Sequence, residues 1–476
     1  MMKSVIVIGG GPSGLAAAEA ALQNGAEVIL LDAGERLGGQ FWRHPPDDIP
    51  VDRTLQHNWR RFTELNQLIR SHPAARVVTE AQVWAIDHDQ HGAPRVHAAI
   101  GPADAADRHQ ATFSADSLII ATGAHDHTLP FPGWDLPGVF TGGAAQSLVK
   151  SERVAVGKRA VVAGAGPFLL PVAASLARIG SQVLGVYEAS RVGRLASGWL
   201  PNAPWLIGKG PEFAGYLARL ARHRIPYRIG HAVVRAHGRD AVEGVTIAKV
   251  DRHWRPVPGT ERDLEADAVC VSHGFTPRLE LAIAAGCKIT TDRFVEVDHG
   301  QRTSQSGVFA VGETTGIGGS DLALIEGRIA GHLAAGGELD DPALKEVRVR
   351  QRRLEHLARS VRIGHAPGSR WTEWLTEDTV MCRCEEVSYA QLRSVLDGTT
   401  SSGLRSIKLT SRAGLGPCQG RMCGRAIEHI VTAGGTRPVT DGVMIDRRPI
   451  AAPIRFSELA EGESAITTDQ EASRNE

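Results

Sequence analysis

One stretch near the N-terminus limits the possible folds more than any other. SVIVIGGGPSGLAAAEAALQNGAEVILLDAGE, from Ser4 to Glu35, reads strand, tight turn, helix, strand. Ser4 to Ile8 is short and apolar, an Ala-rich helix runs to about Asn24 with Gly25 placed to end it, and a second strand from Glu27 to Leu31 leads to Asp32. Gly9, Gly11 and Gly14 form G-x-G-x-x-G, with Pro12 and Ser13 opening the helix. Gly9 permits the turn, Gly11 lets the backbone approach a pyrophosphate, and Gly14 lets helix and strand pack closely. Asp32 lies 18 residues after Gly14, where a carboxylate can hold ribose hydroxyls. The pattern predicts a dinucleotide site, and these residues alone leave NAD and FAD open.

The same order returns in RAVVAGAGPFLLPVAASLARIGSQVLGVYEAS, Arg159 to Ser190. Gly164 and Gly166 are present, but Leu169 stands where the third glycine belongs. Glu188 closes the second strand and is positioned to hold an adenosine ribose, and Arg191 and Arg194 could meet a 2′-phosphate. Two readings follow: an NAD(P) or adenine-nucleotide site, or a retained fold with no working hydride donor. Cys270 and Cys287 lie in apolar surroundings and are expected to be small core residues.

A chain of 476 residues allows two to four domains. Lys+Arg and Asp+Glu are equal at 53 each, and no basic stripe is present, which argues against nucleic acid. The one basic run, KEVRVRQRR from Lys345, reads as a solvated helix face. The N-terminus enters a strand without a signal-peptide pattern, and no apolar run is long enough to span a membrane. A soluble, cytoplasmic protein is expected. In a reducing compartment, clustered cysteines favour metal or redox chemistry over structural disulfides.

Four of the six cysteines are clustered late in the chain: Cys382 and Cys384 in MCRCEEV, Cys418 and Cys423 in GLGPCQGRMC. Between them SYAQLRSVLDG predicts a helix with Ser388 as N-cap and Gly398 near its end, SIKLTSRAGLGPCQG reads as a Gly-rich loop, and GRAIEHIVTAGG predicts a further helix. Four thiolates can hold zinc or a [2Fe–2S] cluster. The spacing C-x-C…C-x₄-C is unusual for zinc, and a Gly-rich approach supplies backbone N–H groups to sulfur, so the spacing favours the cluster.

Further segments carry a resemblance. LGGQFW (Leu37 to Trp42), ADSLIIATGAHDHTLPFPG (Ala115 to Gly133) and SGVFAVGETTGIGGSDLALIEGRIAG (Ser306 to Gly331) resemble the two-dinucleotide-domain flavoproteins, which include the glutathione-reductase-like and thioredoxin-reductase-like enzymes. CRCEEV…GPCQGRMC resembles the small [2Fe–2S] domain related to bacterioferritin-associated ferredoxin (BFD-like). That domain ends the FAD-containing A or alpha subunits of opine oxidases and of D-hydroxyproline and proline dehydrogenases, and the B subunits of hydrogen cyanide synthases. The resemblance implies an α/β chain: two Rossmann-like domains plus a small helical C-terminal [2Fe–2S] domain. FAD would be held by Gly9, Gly11, Pro12, Ser13, Gly14, Asp32, Gly39, Gln40, Thr122, Gly123, Gly312 and Glu313, and the cluster by Cys382, Cys384, Cys418 and Cys423. Glu313 replaces the usual Asp and is one methylene longer. Domain limits read 1–130 with 265–338 for FAD, the flavin-fold strands resuming at Ala266, and 131–264 for the second nucleotide domain. A linker covers 339–378, with Trp371 and Trp374 packing on a neighbouring domain. The cluster domain spans 379–434 and an arm with a disordered tail spans 435–476. Lys408, Thr410 and Arg412 precede the second cysteine pair and could tune it.

What the family's disulfide reductases need is missing. No cysteine occurs before Cys270, so no dithiol sits beside the flavin. Nor is a catalytic acid–base pair evident; His125 and His127 read as surface or loop residues. The resemblance implies an electron-carrying subunit of an amino-acid, opine or (hydroxy)proline dehydrogenase. Its partners would be a small ferredoxin-like subunit, together with a second FAD subunit that oxidises the amine. The alternative is a stand-alone NAD(P)H-dependent reductase of an external acceptor. A redox sensor or scaffold is a third, without a DNA-binding or signalling segment behind it.

Overall fold

The first domain is built on five parallel strands. Ser4–Ile8 lies centrally, flanked by Glu27–Leu31 and Ala75–Val78 on one side and by Ser117–Ile120 and Val308–Ala310 on the other. The structure is a computed structural model that describes residues 2–90, 92–208, 210–398, 403–434, 446–448 and 450–460. Val5, Ile6 and Val7 are wholly buried, as strands covered on both faces require. Helix Pro12–Gln23 follows the glycine turn, and Gly25 ends it in the left-handed region at φ +77°. Helix Gly319–Ala334 packs back to back on it, because glycines remove the obstacle. A Cβ at Gly327 would lie 2.0 Å from the Ser13 carbonyl oxygen, and one at Gly331 would lie 2.1 Å from that of Ala17.

The second domain repeats the plan in the strand order Tyr227–Ile229, Gln182–Glu188, Arg159–Gly164, Ala268–Ser272, Val139–Thr141, all parallel. Each domain also carries a three-stranded antiparallel sheet, at residues 81–114 in the first and 231–265 in the second. This corrects one expected boundary. Ala268–Ser272 pairs with Ala160–Gly164 of the second sheet, so the chain returns to the first domain only after Ser272. Every side chain of that strand is buried, and such a run reads alike in either sheet.

The linker is a structural wall. Helix Lys345–Gly364 buries Val347, Leu354 and Leu357 in the core of the first domain, and its far end packs on helix Val192–Trp199 of the second. Beyond it Trp374 stacks on Trp254 at 6.0 Å, and Trp371 donates to His429 Nδ1 at 2.8 Å. One apolar core therefore joins the second domain to the cysteine lobe.

In that lobe the helix Tyr389–Gly398 begins with a reciprocal cap. Gln391 N donates to Ser388 Oγ at 3.2 Å, and Ser388 N donates to Gln391 Oε1 at 2.8 Å. The expected loop before Cys418 is partly helical instead: Leu404–Ser411 is a helix because Leu404 and Ile407 share a buried face. The arm lies on its own chain. Ala451 N donates to the Trp84 carbonyl, and a short helix, Phe456–Ala460, lets Glu458 form a buried ion pair with Arg108. The tail expected to be disordered, 461–476, lies outside the described residues, as does 435–445 of the arm. Among the described residues no helix is long and apolar enough to cross a membrane.

Candidate functional site

The first glycine turn shows what each glycine is for. Gly9 has φ +106°, and a Cβ there would lie 2.3 Å from the Ala121 carbonyl oxygen; one at Gly14 would lie 1.8 Å from that of Gly9. These two are required by the protein itself. Gly11 is different, since a Cβ there would meet nothing within 4 Å. Its bare backbone faces open space at the start of a helix that has no side-chain cap, the arrangement a diphosphate uses. Asp32 accepts from Gly10 N at 2.5 Å and from Gly34 N at 2.7 Å. Burial raises its pKa, while those two N–H groups and the Arg278 and Arg43 guanidiniums oppose the rise.

This turn lines a cavity of about 3470 Å³, several times the 300–1,000 Å³ of an ordinary ligand pocket. Gly9, Gly11, Pro12, Ser13, Asp32, Gly39, Gln40, Thr122, Gly123 and Glu313 all line it. Gly14 and Gly312 do not; they are packing glycines, and a Cβ at Gly312 would lie 2.6 Å from Ser13 Oγ. The donor set fits a flavin dinucleotide, with an open Gly11 cradle and a carboxylate directed to the same space. Burial pushes the Glu313 carboxyl up to about 7.

Several cavity residues were missed by sequence reasoning. Glu326, only 5% exposed, accepts from Gly312 N at 2.8 Å, and burial pushes its carboxyl up to about 8. A lone acid in the apolar helix LALIEGRIAG was the available signal. Lys150 sits in a π-helical turn, Leu148–Glu152, and donates to the Phe41 carbonyl at 2.9 Å. Burial draws its ammonium down to about 8. Nothing in the sequence marks it. His127 and His273 also line the cavity, where burial holds their pKa values near 3 and 4, so both are neutral. His125 and His127, expected at the surface or in a loop, instead flank the junction between the cavity and the cysteine lobe.

The four lobe cysteines come together in two pairs. Cys382 and Cys423, each 1% exposed, are hydrogen-bonded thiol to thiol, as are the more exposed Cys384 and Cys418, and all four cysteines are free. Cys382 Sγ also accepts the N–H groups of Gly414, at 3.4 Å, and of Glu385 and Cys384; with the Cys423 thiol they draw its pKa down to about 5. The Cys418 N–H points at Cys384 in the same way. The chain passes over the sulfurs on glycines. A Cβ at Gly416 would lie 2.4 Å from Cys384 Cβ, and one at Gly414 would lie 3.9 Å from Cys423 Sγ. The Lys408 ammonium acts on Cys423 and Cys418, whereas Arg412 pairs with Glu385 at 2.7 Å. Thr410 is exposed. Among the described residues no group of three or more His, Cys, Asp or Glu side chains is arranged to hold a metal ion. The four thiols stand as two pairs, each supplied with backbone N–H groups.

This lobe is clamped to the cavity wall. His125 Nε2 bonds the Arg421 carbonyl at 3.0 Å, and Thr128 Oγ1 donates to that of Met422 at 3.1 Å. Arg421 and Arg448 both bond Glu280, at 2.7 and 2.6 Å. Gly123 and Thr122 at the cavity are thus two and three residues from His125, which with Thr128 holds the loop of Cys418 and Cys423.

The second glycine loop is built differently. Gly166 lines the cavity; Gly164 and Glu188 do not. Gly164 serves packing, since a Cβ there would lie 1.8 Å from the Ser272 carbonyl oxygen. Glu188 is 0% exposed and held by internal partners, so the ribose contact expected of it is not available.

Residues 3–330 match the family model described as pyridine nucleotide-disulphide oxidoreductase. Over 472 residues the chain is 33% identical to the hydrogen cyanide synthase subunit HcnB of Pseudomonas aeruginosa, covering 95% of this chain and 97% of that one. It is 30% identical over 472 residues to the A subunit of opine oxidase from Rhizobium meliloti, covering 96% and 98%. Among solved structures, L-proline dehydrogenase from P. horikoshii aligns with a TM-score of 0.64 at 20% identity, covering 96% of this chain and 79% of that one. Thioredoxin reductase of T. acidophilum aligns at 0.52 and 21% identity, over 70% of this chain and 98% of its own.

Proposed function

Because the chain belongs to the pyridine nucleotide-disulphide oxidoreductase family, alongside the hydrogen cyanide synthase and opine oxidase subunits, we propose that it is the FAD- and [2Fe–2S]-containing electron-passing subunit of a cytoplasmic hetero-oligomeric dehydrogenase acting on an amino acid, opine or (hydroxy)proline. The observation that carries the reading is the clamp between strand and lobe: the chain leaving Thr122 and Gly123 bonds, through His125 and Thr128, the loop that holds Cys418 and Cys423. When bound, a flavin takes up two electrons together and an iron–sulfur cluster carries one at a time. Gly11 and Asp32 would hold the dinucleotide, and Cys382, Cys384, Cys418 and Cys423 the irons. Gly414 brings its N–H group to Cys382 Sγ, Gly416 lets the chain pass close to Cys384, and Lys408 adds a positive charge beside the sulfurs. The relatives named as an opine oxidase A subunit and a hydrogen cyanide synthase subunit support partner subunits, among them a second FAD subunit that oxidises the amine.

The test is composition followed by activity. The isolated chain should carry about one flavin and about two irons, with an electron paramagnetic resonance signal on reduction. Stoichiometric zinc without iron would overturn the cluster. Oxidation of an opine or imino acid by the isolated chain at the rate of the full complex would overturn the partner subunit.

A further inference from the structure

Asp32 and Glu188 occupy the same place in the two repeats, each following the second strand of a βαβ unit. In such a unit the acid at this point holds the adenosine ribose. Asp32 faces the cavity. Both acids make the same pair of backbone bonds, Asp32 with Gly10 and Gly34, Glu188 with Gly166 and Ser190, but Glu188 is 0% exposed and does not line the cavity. Oε2 accepts from Gly166 N at 2.9 Å and lies 3.4 Å from the Tyr227 hydroxyl; Oε1 accepts from Ser190 N at 3.0 Å.

What separates Glu188 from the cavity is the end of the linker helix. His365, the residue after that helix, places Nδ1 3.3 Å from Glu188 Oε2 and itself lines the cavity with Ala366 and Pro367. Its other nitrogen, Nε2, accepts from the Trp199 indole at 3.2 Å. The helix end is fixed in turn. A Cβ at Gly198 would lie 2.6 Å from Gly364 N and 2.7 Å from the Ser360 carbonyl, so the two helices meet backbone to backbone. Arg194, a candidate for reading a 2′-phosphate, donates to the Ile363 carbonyl at 3.3 Å. Glu188 and Arg194 are thus turned to the chain's own linker helix, and Arg191, the third group that would read the adenosine end of a nicotinamide dinucleotide, is exposed and does not line the cavity. Leu169, wholly buried, stands where the third glycine would let helix and strand close up.

We infer that the second domain of this chain takes no pyridine nucleotide, because the end of the linker helix with His365 fills the position of the adenosine ribose. The pyridine nucleotide that the family name implies does not fit the residues present. The glycine loop at Ala165 to Phe168 still faces the cavity, but the carboxylate that would anchor a ribose beside it does not. Electrons entering the cofactor cavity then come from a donor other than NADH or NADPH, and the second domain serves as the seat of the linker helix and of the cysteine lobe.

The experiment is a binding titration of the full chain with NADH and NADPH by calorimetry, beside anaerobic mixing that follows the flavin absorbance. The expected result is no saturable binding below about 1 mM and no flavin bleaching. Saturable binding that weakens tenfold or more in Glu188→Gln, a variant that keeps the packing, would overturn the inference. Flavin bleaching by either nucleotide, or saturable binding that Glu188→Gln leaves unchanged, would overturn it as well. Flavin and iron are assayed in the same sample. Their absence would sink the electron-carrying reading and leave this inference standing, since the calorimetric arm needs neither.

Discussion

The Nε2 nitrogen of His125 bonds the backbone carbonyl of Arg421, a residue 296 positions further along the chain. Burial lowers the pKa of His125, so the ring is neutral and Nε2 carries the proton it donates. A residue next to the cofactor turn thereby fixes the loop between two cysteines. Replacing His125 with Phe and Thr128 with Val leaves two carbonyls without donors, at about 1–3 kcal/mol each. The lobe is expected to loosen first. Its visible absorbance should fade at lower denaturant than the far-ultraviolet signal of the whole chain, whereas in the unaltered protein the two should fade together.

Gly416→Ala keeps all four cysteines and should still impair the centre. The added methyl would need the space 2.4 Å from Cys384 Cβ. Iron should be lost to a chelator about tenfold more readily, in the range seen when groups supporting a metal's ligands are altered. Unchanged iron retention would show that the glycine approach is dispensable.

Asp32→Ala removes the carboxylate from the first turn together with the acceptor of the Gly10 and Gly34 N–H groups. A hydrogen bond to a charged group contributes about 1.5–3 kcal/mol, so FAD should bind about tenfold to a hundredfold more weakly. Asp32→Asn keeps an acceptor and should fall between. Release of fluorescent flavin during dialysis measures both.

Glu326 predicts a pH dependence of stability in the protein freed of cofactor. Its carboxyl titrates near 4.5 in a solvated chain and near 8 in the fold, raised first by burial and further by the Glu355 and Glu313 carboxylates. The folded state therefore holds the proton more tightly. The contribution is fully present below about pH 4.5 and is lost as pH rises towards 8, at about 1.4 kcal/mol for each unit of difference. Glu326→Gln, which can still accept from Gly312 N, should flatten the stability profile between pH 5 and 8. An unfolding series in which the variant keeps the wild-type slope would refute this assignment.

The first turn was legible because its residues act locally, Gly9 bending the chain and Asp32 following its strand. That four cysteines gather was legible from their rarity and spacing, but not that they pair crosswise, Cys382 with Cys423 and Cys384 with Cys418. Three further features were not legible. Ala268–Ser272 is buried on both faces, and a fully apolar strand carries no mark of its neighbours. Glu188 looks in sequence like a second Asp32; only the helix ending at Gly364, some 180 residues later, makes it a helix anchor. Lys150 is an unremarkable lysine until the fold wraps a cavity wall around it. Local chemistry could be read along the chain, but contacts between distant segments could not.

The bidentate pair of Arg108 with Glu458, at 2.8 and 2.7 Å, spans 350 positions. A ribosome delivers Arg108 long before its partner. Through most of translation the nascent first domain must therefore keep a guanidinium hydrated at a place that will later be dry. The arm also brings Arg448 to the carboxylate that already grips Arg421. Tightening of the cysteine lobe against the cavity wall is thereby deferred to the same late moment, when all four thiols have already been made.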